Sequence, residues 1–522
     1  MRENQRWRGL LKDNEGFMLV SRRFVWAVIL GGALLCYVMA LMGSASCRSP
    51  LLVWDSGVRL VASSVKPAAT AVDMVDPAMW SGDVRDLSMA WNRLCYGSKP
   101  PVTIRIAVFV KKWPIGGTPG GLERHAMTLH RALADRGHVV HVFTMRQPGA
   151  GTSGEEVEAE EERQHSNTHI HFMKPNEAGG FDFVPAWEKF SEINATHPFD
   201  IVHSESVALP HWKALPIEKL AASWHGIQFE TIHSDIVEDL IRKPDENRTE
   251  GLMQTMSSRL VRVADEVRFF PSYRHHVATS DYVGDVLRTI YEIPLENVHI
   301  ILNGVNEQDF RPNPSAGAAF RAKYGVPSNA SLVLGAAGRL VRDKGHPILF
   351  EAFSEILKTH KDVYLLVAGS GPWGSRYEEL GPNVKTIGPL IPSQLSEFYN
   401  AVDIFVNPTL RAQGLDITLL EAMQCGKPLL ATHFSSIVWS VITDKKIGYT
   451  FSPNVQSLVV ALEKVIKDGK DKLREKGQTC LAYASKMFTA KKMASAYERL
   501  FLCITNEEYC QYPSPIDEQE CH

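Results

Sequence analysis

Cysteine is scarce in this chain, with eight among 522 residues, and no two of them have the spacing of zinc ligands. So few thiols cannot build a disulfide framework for a chain this long. Cys36 falls in an apolar run and Cys425 beside a helix, while Cys503, Cys510 and Cys521 gather near the C-terminus. One bridge among those three is compatible with their spacing if that end faces an oxidising lumen. No Asp-x-Asp triplet occurs, so a common acidic cradle for a divalent ion is missing. Excess charge is absent as well. The formal net charge is −3 with 22% charged residues, and no basic stripe suggests a nucleic-acid partner. No pair of carboxylates stands out as a general acid and base.

What is present begins at residues 24–42, FVWAVILGGALLCYVMALM, an uncharged run of 19 residues. As a helix it is long enough to span a bilayer core. Arg22 and Arg23 abut its N-terminal edge, with Arg2, Arg6, Arg8 and Lys12 upstream, which predicts a cytoplasmic tail at 1–23 and a lumenal body. A cleaved signal peptide is the competing reading, since residues 43–46 are small. Its apolar core would normally be only about 7–15 residues long. The expectation is a single-pass type II protein of the Golgi or endoplasmic reticulum membrane, because a span this short suits a thin early-secretory bilayer. Sequons at Asn194, Asn247 and Asn329 agree with a lumenal glycoprotein, although chance alone would supply some of them.

Residues 43–101 have no sustained periodicity and end in Gly97-Ser98-Lys99-Pro100-Pro101, which reads as a stem. From Thr103 apolar strands alternate with amphipathic helices, the pattern of βα units on a parallel sheet. Strands at 104–110, 139–144, 200–203, 220–224, 266–270, 276–279 and 298–302 define a first Rossmann-like unit over 102–310. The acidic run EEVEAEEE at 155–162 reads as a solvated loop. A second alternation opens at Ser331 and continues with strands at 362–368, 383–387, 404–407 and 428–432, so a second unit spans 311–489. Residues 490–503 are apolar on one face and begin a terminal helix and tail over 490–522. The predicted fold class is α/β, two doubly wound halves holding a ligand between the C-terminal edges of their sheets.

Four segments carry chemistry. In the second half a buried strand ends at Gly338, and Arg339 and Lys344 follow in the loop, where two cations suit phosphate oxygens. In the first half Gly120 and Gly121 close a glycine turn ahead of a helix and let backbone N–H groups approach an anion. The spacing is not G-x-G-x-x-G, and no acidic residue closes the strand ending 142–144, which argues against a dehydrogenase. In the third segment the strand at 220–224 delivers His225-Gly226 to the sheet edge. Asn303-Gly304, with Phe310 downstream, reads as a hinge on turn chemistry alone. The fourth segment, RAQGLDITLLEAMQCGKPLL at 411–430, places Gln413, Gly414 and Leu415 in a loop before a helix that carries Glu421.

That last segment resembles the donor-binding signature of retaining GT-B glycosyltransferases of the glycogen-synthase-like superfamily, glycosyltransferase family 4. The resemblance extends over roughly 102–500 and is strongest from 331 to 430. Family members have Glu, seven residues, Glu; this chain has Gln413 in the first place. The resemblance implies two Rossmann-like domains facing a cleft and a C-terminal helix that crosses back onto the first. It implies a metal-independent transferase without a cofactor, whose donor is a nucleotide-diphosphate sugar, a UDP-sugar by expectation. The acceptor would be a hydroxyl of a glycan, lipid or small molecule. His225, Arg339 and Lys344 take the catalytic roles, and Gly120, Gly121, Gln413, Gly414, Leu415 and Glu421 bind the donor. Glu421 would accept hydrogen bonds from the ribose, and Gln413 would contact the sugar. An amide there loses the carboxylate's charge, which favours either an acidic donor sugar or decayed activity. The alternative function is accordingly an inactive, glycosyltransferase-like membrane scaffold.

Overall fold

The computed structural model describes residues 80–114, 119–145, 167–242, 250–412 and 414–514. The expected cytoplasmic tail and membrane span, stem residues 43–79, turn residues 116–118, the acidic run at 155–162, Gln413 and Cys521 lie outside them. No helix among the described residues is long and apolar enough to cross a membrane.

A short strand β1 (Gly82–Asp83) precedes β2 (Arg105–Lys112), β3 (Val139–Met145), β4 (Thr168–Met173), β5 (Ile201–Glu205), β6 (Leu220–Trp224), β7 (His275–Ala278) and β8 (Val298–Ile300). The last seven form one sheet in the order β4-β3-β2-β5-β6-β7-β8, parallel throughout. A second parallel sheet follows from β9 (Leu332–Ala337), β10 (Val363–Ala368), β11 (Val384–Gly388), β12 (Ile404–Asn407), β13 (Leu429–Thr432) and β14 (Gly448–Phe451). Its order is β11-β10-β9-β12-β13-β14. Helices cover both faces of each sheet, so central strands are buried on both sides and read as unbroken apolar runs. Ile106, Ala107, Val108, Phe109 and Val110 are all sealed from solvent, as are Leu365, Leu366 and Val367.

Both sheets reverse winding at one strand. β2 sits between β3 and β5, and β9 between β10 and β12. A crevice opens beyond the carboxyl end of such a strand because the flanking connections diverge to opposite faces. The glycine turn follows β2 and the Arg339–Lys344 loop follows β9, so the two loops with phosphate chemistry lie at the two switch points.

Three expectations need correction. Residues 266–270 are not a strand: they end the helix Glu250–Phe269 and enter the 3-10 turn Phe270–Ser272. Glu266 is fixed there, its carboxylate accepting from the Tyr291 hydroxyl at 2.6 Å and from the Gln228 N–H at 2.8 Å. The stem ends earlier than residue 101, because residues 80–101 pack into the body. Val84, Leu87, Trp91 and Leu94 are fully or almost fully buried, and β1 pairs antiparallel with β15 (Gln511–Tyr512). These contacts come from irregular 3-10 turns, which leave no periodicity to read. The hinge glycine, finally, answers to packing more than to turn chemistry. A Cβ on Gly304 would overlap the carbonyl oxygen of Thr489, where Val305 exchanges backbone hydrogen bonds with Phe488 and Ala490 at 2.9 Å each.

Beyond that junction the helix Ala490–Thr505 packs on the first half's helix Gly121–Asp135. Glu498 on it binds Arg136 at 2.6 and 2.8 Å and His138 at 2.8 Å. A Cys503–Cys510 disulfide closes the segment leading to β15.

Candidate functional site

A cavity of about 650 Å³ lies between the C-terminal edges of the two large sheets. Gly120, Gly121, Arg124, Ser206, His225 and Asn303 line it from the first half. Gly338, Arg339, Lys344, Gly369, Gly414, Leu415 and Asp416 line it from the second. Seven of the nine residues proposed for the site therefore share one cleft. Gln413 lies outside the described residues, and Glu421 is set back from the cavity wall.

Two helix N-termini face this space, and they differ. Gly120 caps Gly121–Asp135 with no side chain accepting from the first turn, which leaves backbone N–H groups for a ligand. The helix Ile417–Gln424 does not offer the same: Asp416 is its N-cap, accepting from the Thr418 N–H at 3.3 Å and the Thr418 hydroxyl at 2.9 Å. A carboxylate already occupies the position an anion would take.

Asp416 also holds Lys344, whose Nζ is 2.9 Å from Oδ2, and it accepts from Asn407 Nδ2 at 3.2 Å. Burial opposes ionisation of Asp416, but the Lys344 ammonium and these hydrogen bonds outweigh it and hold the carboxyl well below the usual range. Gly345 aims the lysine. It takes φ 76°, and a Cβ there would overlap the Pro408 carbonyl oxygen, so only glycine lets the chain turn into the helix His346–Thr359. Arg339 is less committed, with 62% of its side chain exposed and Asp343 3.5 Å away.

Glu421 is the residue whose placement departs most from its expected role. Its side chain is 1% exposed. One oxygen accepts from the Arg124 guanidinium and the other from the Tyr399 hydroxyl at 2.8 Å. Burial pushes this carboxyl up, against the opposing pull of Arg124 and Tyr399. Buried and with both oxygens engaged by protein donors, the carboxylate presents no open face to a ribose hydroxyl in this arrangement. Arg124 belongs to the first half, and the ion pair bridges the cleft. The sequence carried a signal for it, because a cation in the first turn of a helix opposes the macrodipole unless a partner compensates. Asp416 was legible too, as an acidic residue immediately before an apolar helical run.

Behind His225 lies a second group that sequence reading did not find. Glu205, at the end of β5, is fully buried, and its Oε2 accepts from His225 Nε2 at 2.6 Å. Oε1 accepts from His130 Nε2 at 3.0 Å, with His125 and His203 each 3.9 Å away. Burial opposes charge on Glu205, yet the hydrogen bonds it accepts from His130 and His225 hold its carboxyl below the usual range. Burial drives His203 down to about 3 and His125 lower than its ordinary value, so both are neutral near pH 7. Their ligand atoms fall into two overlapping triads of metal-binding size, His125–Glu205–His225 and His130–His203–Glu205. Each carboxylate oxygen is already taken by a ring N–H, a bond that ligation of an ion would replace.

The comparisons with known proteins agree with this architecture. Residues 319–479 match the family profile described as glycosyl transferases group 1, and residues 119–309 that of glycosyltransferase family 4. The chain has the GT-B fold of these group 1 and family 4 glycosyltransferases. It is similar to D-inositol 3-phosphate glycosyltransferase 1 of Catenulispora acidiphila, 26% identical over 367 residues, which covers 66% of this chain and 82% of that protein. Similarity to the alpha-monoglucosyldiacylglycerol synthase of Streptococcus pneumoniae is 25% over 348 residues, covering 63% and 71%. Among solved structures, sucrose-phosphate synthase from Thermosynechococcus elongatus aligns with TM-score 0.57 at 19% identity, over 76% of this chain and 98% of that one. Anabaena HepE in complex with UDP-glucose aligns with TM-score 0.54 at 19% identity, over 76% and 99%.

Proposed function

We propose that this protein transfers a sugar from a nucleotide-diphosphate donor, a UDP-sugar, to a hydroxyl of a glycan, lipid or small-molecule acceptor. The supporting observation is the convergence of Gly120, Gly121, Arg339, Lys344 and the Gly414 turn on one cleft at both switch points. The bare helix N-terminus at Gly121 and the two cations take the diphosphate. His225 contacts the sugar, and Gln413 is assigned to its hydroxyls.

Transfer proceeds with retention and without a metal ion. The bond from the anomeric carbon to the phosphate oxygen breaks with its electron pair going to the diphosphate, leaving an oxocarbenium-like sugar. The acceptor oxygen bonds to that carbon from the same face, and its proton passes to the departing phosphate oxygen. No side-chain base is needed, and preorganised positive groups around the leaving diphosphate supply the catalysis. Glu421 reaches the ribose once donor binding draws Arg124 away from it.

The body sits in the lumen of the Golgi or endoplasmic reticulum behind a single span at 24–42. The Cys503–Cys510 disulfide supports an oxidising compartment. Resistance of the full chain to alkaline extraction from membranes, with the body protected from added protease, tests this placement.

A second reading, a scaffold without turnover, has its own observation. Lys344 and Glu421 are both engaged by protein partners rather than open to a ligand. Incubating the full chain with a panel of nucleotide sugars separates the two. Release of nucleoside diphosphate from one donor supports the transferase, and a product bond with the same anomeric configuration as the donor's then reports retention. No release from any donor, with or without acceptors, supports the scaffold.

A further inference from the structure

We propose that Glu205 is a positioning residue that acts through His225, fixing the imidazole with its Nε2–H turned inward and leaving Nδ1 as the ring nitrogen a donor sugar can meet. The inference rests on the reading of the cleft as a sugar-nucleotide site.

The geometry is specific. Four imidazoles surround the Glu205 carboxylate, and only that of His225 also lines the cavity. It makes the shortest of the four approaches, 2.6 Å. An ionised carboxylate only accepts, so the bonded ring nitrogen carries the proton, and the tautomer is set from behind. Backbone strain marks the same spot. Ser206, the next residue, has φ 55°, a left-handed conformation that non-glycine residues avoid, and it too lines the cavity. That turn ends β5 with Glu205 pointing inward below the ligand space.

The surroundings lock the carboxylate in place. His130 occupies its second oxygen. His203 donates or accepts with the Ser223 hydroxyl at 2.8 Å, and Ser223 in turn meets the Tyr497 hydroxyl at 2.7 Å. Tyr497 comes from the crossing helix, which roofs the group. Among the described residues the Glu205 carboxylate pairs with imidazoles and with no arginine or lysine, a costly way to hold a core together, since apolar residues of similar volume often serve as well or better. Orientation of the one ring that reaches the ligand accounts for it.

A double-mutant cycle on the full chain tests the proposal. Donor cleavage is measured for wild type, Glu205→Gln, His225→Gln and the double variant. Glu205→Gln should lower cleavage about fivefold or more in the wild-type background, and less than about twofold when His225 is already replaced. Equal losses in both backgrounds would mean that Glu205 acts on the fold and not on His225, and would overturn the proposal. A second readout needs neither turnover nor a stable Glu205 variant. Long-range 1H–15N spectra of the wild-type imidazoles, assigned by the resonance lost in His225→Gln, should show the His225 proton on Nε2. A proton on Nδ1 overturns the proposal. If no donor is cleaved at all, the sugar-nucleotide reading fails, while the ring spectrum still decides whether Glu205 sets His225.

Discussion

Lys344 is a cation with a prior engagement. Its ammonium neutralises Asp416 at 2.9 Å, and that pairing has two consequences. It keeps the side chain inside the cavity, and it sets a competitor against any arriving diphosphate. Replacing Asp416 with Asn keeps an N-cap acceptor while removing the competing charge. Asp416→Asn should therefore lower the donor KM severalfold with little change in kcat; an unchanged or higher KM would show that the carboxylate serves only to place the lysine. A second residue carries a pH signature. Burial raises the Glu230 carboxyl to about 8, against a hydrogen bond from the Ile227 N–H and the charge of Arg411. The folded state keeps a proton there that the unfolded chain releases near pH 4.5, so stability is full below that pH and declines as pH rises through about 8. Glu230→Gln should flatten that decline and raise the melting temperature at pH 8 by a few degrees. Parallel melting curves for variant and wild type between pH 5 and 8 would contradict it.

Elements decide which parts of the site a reader of the sequence could find. The Arg339–Lys344 loop and the glycine turn were legible because each follows a continuous apolar strand, and strand ends in parallel sheets are where anion chemistry collects. The helix carrying Glu421 was legible as an element but misleading as a surface. Its apolar character buries it on every side, and Arg124, 297 positions earlier in the chain, closes over its only carboxylate. A contact so distant leaves no local trace. Asp416 changes the polarity of that helix end from within, by capping it with a carboxylate. Arg124→Ala would strand a buried carboxylate and should cost about 3–5 kcal/mol in stability, read by urea denaturation. Replacing Arg124 and Glu421 together with apolar residues should recover most of that loss. A single variant as stable as wild type would mean that the ion pair contributes nothing to holding the halves together.

For the molecule as a whole, two parallel sheets and their order of appearance could be read from the alternation of strands and helices, because burial on both faces imposes unbroken apolar runs. Edge strands β4 and β14 lack such a run, β4 being only half-buried and β14 only four residues long, and the last turn of Glu250–Phe269 imitates a strand because Val267, Phe269 and the following Phe270 are β-branched or aromatic. Residues 80–101 differ most from the stem their sequence suggests. They look like linker but fasten the junction between the halves: Asn92 donates to the Leu302 and Met487 carbonyls at 3.2 and 3.0 Å and accepts from the Leu302 N–H at 2.7 Å. Asn92→Ala leaves those buried groups unmatched and should destabilise the protein by about 1–3 kcal/mol or more in equilibrium unfolding. An unchanged midpoint would return this segment to the role of a spacer. The crossing helix belongs to the same fastening, since its Tyr497 reaches the group behind His225 and its Glu498 grips Arg136 and His138.

Calorimetric titration of the full chain with UDP and with UDP-glucose, repeated for Lys344→Ala, tests most directly whether the cleft holds a sugar-linked diphosphate. Saturable binding by wild type that weakens about tenfold or more in the variant is the predicted result, in line with loss of one charge-assisted contact. Equal affinity in the two proteins, or no binding of any nucleoside diphosphate by either, would contradict the account.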